Sequence, residues 1–147
     1  MLVDDAVTRL KDQVDALAER VEGALELAEM VRRNALPNVT PQAYVVPLGF
    51  RPLGSGEASA GAFTQDIDEI VGVVLIARVA GDVTGRKALP TLGPLIDAVV
   101  AALAGWAPND DVTGVFRLQR GALVSLAAGV VIYQLDFAIQ DQLRNLS

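Results

Sequence analysis

Apolar side chains recur at alternating intervals of four and three residues through the N-terminal part of the chain, and this periodicity restricts the fold more than any other feature. The repeating positions are Val3, Val7, Leu10, Val14, Leu17, Val21, Ala24, Ala28 and Val31. Such spacing places the side chains on one stripe of an α-helix. Arg32 and Arg33 complement the negative end of a helix dipole, and Pro37 follows them. We therefore predict one long helix over about residues 4–33.

A stripe of this length has two interpretations. It is long enough, at about four heptads, for a coiled coil with another chain. It also suits a helix that packs on the protein's own sheet. Ala24 and Ala28 are small for coiled-coil contacts, and the sheet predicted below needs a cover. We therefore favour packing on the sheet.

Four later segments carry strand patterns, at residues 43–50, 66–79, 115–126 and 130–140. Pro47 cannot donate a hydrogen bond to a ladder, so the first strand either lies at a sheet edge or ends near the proline. The run Ile70–Ala77 is apolar on both faces, as in a strand that is covered on both sides. The last two segments predict a hairpin that turns at 127–129, with a bulge near Arg120 and Gly121.

A second helix is predicted over about residues 91–104, with Gly105 at its C-terminal end. A turn is predicted before it, at residues 81–85. Together these elements predict a single α+β domain over residues 1–147. Its mostly antiparallel, four-stranded sheet would pack against the long N-terminal helix and the second helix.

The segment 51–65 is rich in Gly, Ser and Ala, and we predict a flexible loop there. Loops of about fifteen residues are uncommon inside compact domains and are often functional. The spacing Gly54-x-Gly56-x-x-Ser59 has serine in the third position, no helix after it and no Gly-Lys-Ser or Gly-Lys-Thr end, so it does not predict a nucleotide site. The loop, which includes Glu57, is instead a candidate surface for a protein partner.

The 147 residues include no histidine and no cysteine. Catalytic arrangements of the Ser-His-Asp and Cys-His types are therefore impossible, and so are zinc sites of the usual ligand types. Asp66, Asp68 and Glu69 remain as candidates for binding a hard cation. A solvated strand end is the simpler interpretation of this cluster. We therefore predict no catalytic residue, no cofactor and no metal.

The net charge of −6 opposes tight binding of nucleic acid, which requires cations against the phosphates. The longest nearly apolar run, Ile70–Ala77, is far shorter than the ~20 residues of a membrane-spanning helix. The acidic N-terminus does not resemble a secretory signal. We therefore expect protein partners, with no tight sequence-specific nucleic-acid binding and no membrane.

A family resemblance rests on the order of these elements, on Gly-Trp-x-Pro at 105–108 and on Arg-Gly-Ala-Leu at 120–123. The chain resembles, over nearly its whole length, the tail terminator proteins of long-tailed bacteriophages, in particular the branch found in Mu-like phages and prophages. The resemblance implies a small α/β subunit that forms a hexameric ring on the head-proximal end of the tail tube, without a cofactor. It also implies contacts with copies of itself, with the major tail tube protein and with a head-completion or connector protein, in a virion assembled in the bacterial host cytoplasm.

Two alternatives stay open at this point. One is another head–tail connector or tail-completion subunit. The other belongs to a different class, a small-ligand-binding or carboxylate-based enzymatic α+β domain that uses Asp66, Asp68 and Glu69.

The candidate interaction residues are Arg51, Gly54, Gly56, Glu57, Arg86, Lys87 and Trp106. Arg51, Arg86 and Lys87 stand isolated among uncharged turn residues, and we expect them to supply rim charges to acidic neighbours. Trp106 has two interpretations, a core anchor after the second helix or a hot spot between subunits.

Overall fold

The computed structural model describes residues 2–37, 39–78, 86–127 and 129–146, which form three α-helices and one six-stranded sheet. The helices are α1 (Leu2–Gln13), α2 (Ala24–Arg33) and α3 (Ala88–Leu103), with a 3-10 turn at Asp15–Leu17. The strands are β1 (Val21–Glu22), β2 (Gln42–Pro52), β3 (Glu57–Ser59), β4 (Ala62–Arg78), β5 (Arg117–Ala127) and β6 (Val130–Leu146). The turn predicted at 81–85 lies outside the described residues. None of the described helices has the length and apolar character needed to cross a membrane.

The strands follow the order β1-β2-β4-β6-β5, and β3 pairs with the start of β4. Every pair is antiparallel except β1–β2. β4 and β6 pair in one register over 17 residues each. The α+β class is confirmed, and the four predicted strands are the four long ones. The predicted number of strands is wrong, because β1 and β3 form from segments assigned to the helix and to the loop.

Two irregularities of the sheet lie where the sequence predicts them. β2 pairs with β1 only at Ala43 and Tyr44, so Pro47 lies on an open edge. β5 shifts its register against β6 between Leu118 and Arg120. Both features interrupt the regular ladder at the outer strands, whereas the central pair β4–β6 has no interruption.

The predicted long helix is wrong, because the chain leaves the helical path after α1. Val14 is extended, with φ −115° and ψ 101°. After the 3-10 turn, Val21 enters the sheet beside Ala43, where its β-branched side chain is buried. Gly23 precedes α2, and its N–H donates to the Glu26 carboxylate at 3.1 Å. Glycine within a helix costs ~1 kcal/mol relative to alanine, a cost that is avoided here because Gly23 lies at the helix start.

The break changes which part of the predicted stripe is buried. Its N-terminal members that lie in the core are Val3, Leu10, Val14, Leu17 and Val21. Ala24, Ala28 and Val31 are exposed instead. The half-buried apolar side chains of α2 are those of Leu27 and Met30, and the Tyr44 hydroxyl lies 3.6 Å from the Met30 sulfur. α2 therefore packs a different side against β2 than the continuous stripe predicts.

The hydrophobic core fills the space between one face of the sheet and the helices α1 and α3. Its largest fully buried side chains include Leu10, Leu103, Phe116, Leu135 and Phe137. Burial of one such side chain contributes roughly 1.5–3 kcal/mol. The opposite face of the sheet includes the half-buried Ile70 and Val74, and α2 packs beside it against β2.

Candidate assembly surfaces

A buried carboxylate joins three strands on the sheet face opposite the core. Asp68 of β4 is 0% exposed, and its Oδ2 accepts hydrogen bonds from Arg51 of β2 at 2.6 Å and from Arg117 of β5 at 2.5 Å. Arg51 lies directly opposite Asp68, whereas Arg117 reaches it across β6. Both arginine side chains stay about half exposed, at 52% and 50%. The cluster therefore ties β2, β4 and β5 together and presents two cations at the surface.

The electrostatics of this cluster keep Asp68 ionised. Burial by itself raises the pKa of Asp68, but hydrogen bonds from Arg117 and Arg51 outweigh this and hold the pKa below its ordinary value. The other oxygen, Oδ1, is buried and accepts no hydrogen bond from the residues described. Because an unpaired buried charge is costly, the carboxylate depends on its two arginines.

We expect Asp68→Asn to lower the free energy of unfolding by about 1–3 kcal/mol near neutral pH, because the amide keeps the shape but loses the charge that holds the two guanidinium groups. The contribution of Asp68 is complete above the ordinary aspartate pKa. It disappears as the pH falls through the lower pKa of the folded state. Urea unfolding followed by circular dichroism, repeated from about pH 7 to about pH 2, measures the difference and its decline.

Asp66→Asn is the matched control, since Asp66 precedes Asp68 on the same strand and face but is exposed. Its expected effect is below about 0.5 kcal/mol. Equal stabilities of the two variants at neutral pH would show that the arginine contacts contribute nothing.

The structure corrects the extent of the loop predicted over 51–65. β2 continues to Pro52, and a hairpin of β3 and β4 starts at Glu57. The hairpin turns through Ala60 and Gly61, whose φ angles of 50° and 81° suit a two-residue turn between twisted strands. A connection at residues 53–56 is what remains between β2 and β3.

The candidate residues Gly54, Gly56 and Glu57 lie together at this hairpin, where they line an open groove of about 370 Å³ with Asp66. Gly56 has a φ of 85°, and a Cβ at this position would lie 2.6 Å from the ring of Phe63. Glycine is therefore required by backbone conformation and by packing. A role of these residues in binding a partner stays a prediction.

The three basic candidates do not form one site. Arg51 belongs to the Asp68 cluster, whereas Arg86 and Lys87 are exposed immediately before α3. Their role as rim charges also stays a prediction.

The acidic residues of β4 do not converge on a cation. Asp68 binds two arginines, and the exposed Asp66 accepts a hydrogen bond from Gln142 at 3.3 Å. Glu69 points to the other face of the strand, and burial, together with the nearby Asp141, raises its pKa. Within the described part of the chain, no three potential acidic ligands are grouped as a metal site would require.

Trp106 packs against its own chain. Its ring stacks on Phe116 with centroids 6.0 Å apart and an interplanar angle of 20°, and the guanidinium carbon of Arg9 lies 5.0 Å from the ring centroid. The Nε of Arg9 also donates to the Ala102 carbonyl at 2.9 Å, near the end of α3. One side chain of α1 thus binds both α3 and the tryptophan, which favours the core-anchor interpretation.

Two exposed apolar surfaces lie at opposite edges of the sheet, and the sequence patterns predict neither. The first, which we call the α2 surface, comprises Ala24, Leu25, Ala28 and Val31. The second, which we call the β5 surface, extends around the edge strand: Leu118, Leu123 and Leu126 lie on the face of the sheet that carries the core, and Val124 lies beside Arg120 on the other face. Gly23 with Glu26 is a signal in the sequence for a new helix start, but an apolar strand pattern does not reveal that its side chains stay exposed.

Comparisons with known proteins agree on one architecture. The family model described as phage tail terminator protein matches residues 2–146. No curated protein matches the chain. Among solved structures 17 chains match. One, from the virion of a native gene transfer agent (GTA) particle, covers 96% of this chain and 94% of its own at a TM-score of 0.54 and 16% identity, which shows a shared fold.

Proposed function

The chain belongs to the phage tail terminator family, and on this premise we propose that its copies form a ring, hexameric as the resemblance implies, on the head-proximal end of a tail tube. The family is one of structural proteins and not of enzymes, and the chain is a structural component of a virion tail. In the proposed ring it stops growth of the tube on one side. On the other side it offers a surface to a head-completion or connector protein.

The family match carries this proposal, because it spans nearly the whole chain, residues 2–146. The α2 surface and the β5 surface support it. Apolar side chains that a single copy leaves exposed at two opposite edges are typical of a subunit that assembles.

The charge of the protein also suits this role. DNA passes through the tail of a long-tailed phage, and a ring on the tube must let it through without holding it. A net charge of −6 per copy opposes tight contact with the phosphates.

Electron microscopy of the purified protein mixed with tail tubes tests the proposal. We expect a six-membered ring on one end of each tube and tubes that no longer lengthen when more tube protein is added. Native mass spectrometry of the protein alone gives the number of subunits in solution. A twelve-membered ring would instead indicate a connector, and a protein that binds neither tubes nor itself would contradict a terminator.

A further inference from the structure

The α2 surface belongs to a helix that its own chain covers poorly. None of the residues of α2 is buried, and Leu25 and Val31 are 83% and 68% exposed. Isolated helices shorter than ~12–15 residues are marginal in water. Beside α2, the residues around Leu36, Val39 and Tyr44 line an open groove of about 640 Å³. Packing of another surface against α2 would therefore bury apolar area and stabilise the helix.

The β5 surface lies at the other edge of the sheet. Leu123 and Val124 are 49% and 58% exposed, and both lie in the C-terminal half of the strand. Register shifts near Arg120 and Val124 interrupt the ladder, and on the opposite edge Pro47 interrupts β2. Neither edge suits the addition of a strand, so a contact at these edges is made by side chains.

The two surfaces carry opposite charges. Residues 21–33, which form β1 and α2, include three glutamates and two arginines, and both arginines, Arg32 and Arg33, pair with Glu29. Residues 117–127, which form β5, include two arginines and no acidic residue. Glu22 and Glu26 make no ion pair with the described residues. The pKa of Tyr44 is raised first by burial of its hydroxyl and then by the negative charges of these two glutamates. Beside its apolar side chains, the α2 edge therefore offers two glutamates without an ion pair to the described residues, and the β5 edge offers two arginines.

The two surfaces also lie at the same height along the strands. A single row of paired residues crosses the sheet there, through Glu22, Tyr44, Val74, Gln134 and Ala122. α2 begins just after the first of these residues, and Leu123 and Val124 follow the last. A second copy displaced sideways along this row therefore sets its β5 edge against the α2 edge of the first.

We propose that the subunits of the ring contact each other head to tail, with the α2 surface of one copy packed on the β5 surface of the next. This inference rests on the proposed ring and names its repeating contact. Such a contact uses two different surfaces, so every copy keeps one of each free until the ring closes. Glu22 and Glu26 face the arginines of β5 across it, which favours this pairing over contacts between like edges.

Two variants, each with one surface blocked, test whether the contact is head to tail. Leu25→Asp blocks the α2 surface and Val124→Asp blocks the β5 surface, and neither side chain contributes to the core. We expect each variant alone to lose ring formation, with association weakened about tenfold or more. A mixture of the two keeps one intact pair of surfaces, so native mass spectrometry should show mixed dimers and no rings.

A charge exchange tests the partners within the contact. Glu22→Arg and Arg120→Glu should each weaken association, and the double variant should recover most of it, because the attraction is restored with reversed signs. Arg144→Glu, at the far end of β6, is the matched control and should assemble like the wild type. Urea unfolding of every variant confirms that the fold is intact before association is measured.

Different results would contradict the proposed ring and the proposed head-to-tail contact. If the wild type forms rings on tubes while the blocked variants also form them, the head-to-tail contact is wrong and the terminator role stands. If the mixture of blocked variants gives no mixed dimer although the wild type assembles, the pairing of these two surfaces is wrong. If the wild type itself never assembles, the proposed ring fails and this contact fails with it.

Discussion

Phe137→Ala should lower the free energy of unfolding by about 3–5 kcal/mol, enough to remove a large part of the stability of a domain of this size. Phe137 is 0% exposed in the middle of β6, among the side chains that α1 and α3 cover. Its removal leaves a cavity that neighbours on the uninterrupted β4–β6 ladder cannot fill by moving. Urea unfolding followed by circular dichroism measures the loss as a lower midpoint at an unchanged slope.

Phe50→Ala is the matched control, because Phe50 lies in the same sheet but is 65% exposed. The same truncation there should change the free energy of unfolding by no more than about 0.5 kcal/mol. Comparable losses in the two variants would place the hydrophobic core elsewhere than between the sheet and the two helices.

Trp106→Ala should have the second largest effect, a loss of about 3 kcal/mol in the free energy of unfolding. The half-buried ring contributes apolar burial, the stacking on Phe116 and the contact with the Arg9 guanidinium. Trp106→Phe keeps a ring against Phe116 and should recover more than half of the loss. The same urea unfolding experiment measures both variants.

Tryptophan fluorescence separates the two interpretations of this residue, since Trp106 is the single tryptophan of the chain. Because its own chain covers the ring, its emission should stay the same when the protein concentration rises or a ring assembles. A variant Trp106→Ala that unfolds like the wild type but no longer assembles would reverse this conclusion and make the residue a hot spot between subunits.

Local patterns in the sequence predict most of the sheet. The alternation of Val131, Leu135 and Phe137 with polar residues predicts β6 and its buried face, and the apolar run at Ile70–Ala77 predicts the central position of β4. Both signals depend on neighbours along the chain, so a single sequence is enough to detect them.

The interruption of the predicted long helix between α1 and α2 could not be predicted from the periodicity alone. The intervals of four and three continue through Val14, Leu17 and Val21, although these three residues lie in a loop, a 3-10 turn and a strand. All three are buried on the same side of the protein, so the spacing of apolar positions survives a change of conformation. Gly23 was the local signal against one helix, and the apolar period concealed it.

The Asp68 cluster could not be predicted from the sequence for a different reason. Asp68 lies 17 positions from Arg51 and 49 positions from Arg117, and strand pairing alone brings the three together. The sequence places Asp68 at a polar strand start, where a solvated carboxylate is expected. Its burial depends on which strands are neighbours, and composition and spacing do not determine this.

The strand order also sets the sequence of events in folding. β6 follows β5 in the chain, yet it lies between β4 and β5, and without it neither has its main partner. During synthesis, the edge of β4 that pairs with β6 therefore stays unpaired until the residues up to 146 have left the ribosome. Pairing across so many intervening residues is slow, and an unpaired apolar strand is prone to pair with the wrong chain. The newly made chain should therefore be most vulnerable to aggregation, and most dependent on chaperones, after β4 has been made and before β6 has left the ribosome.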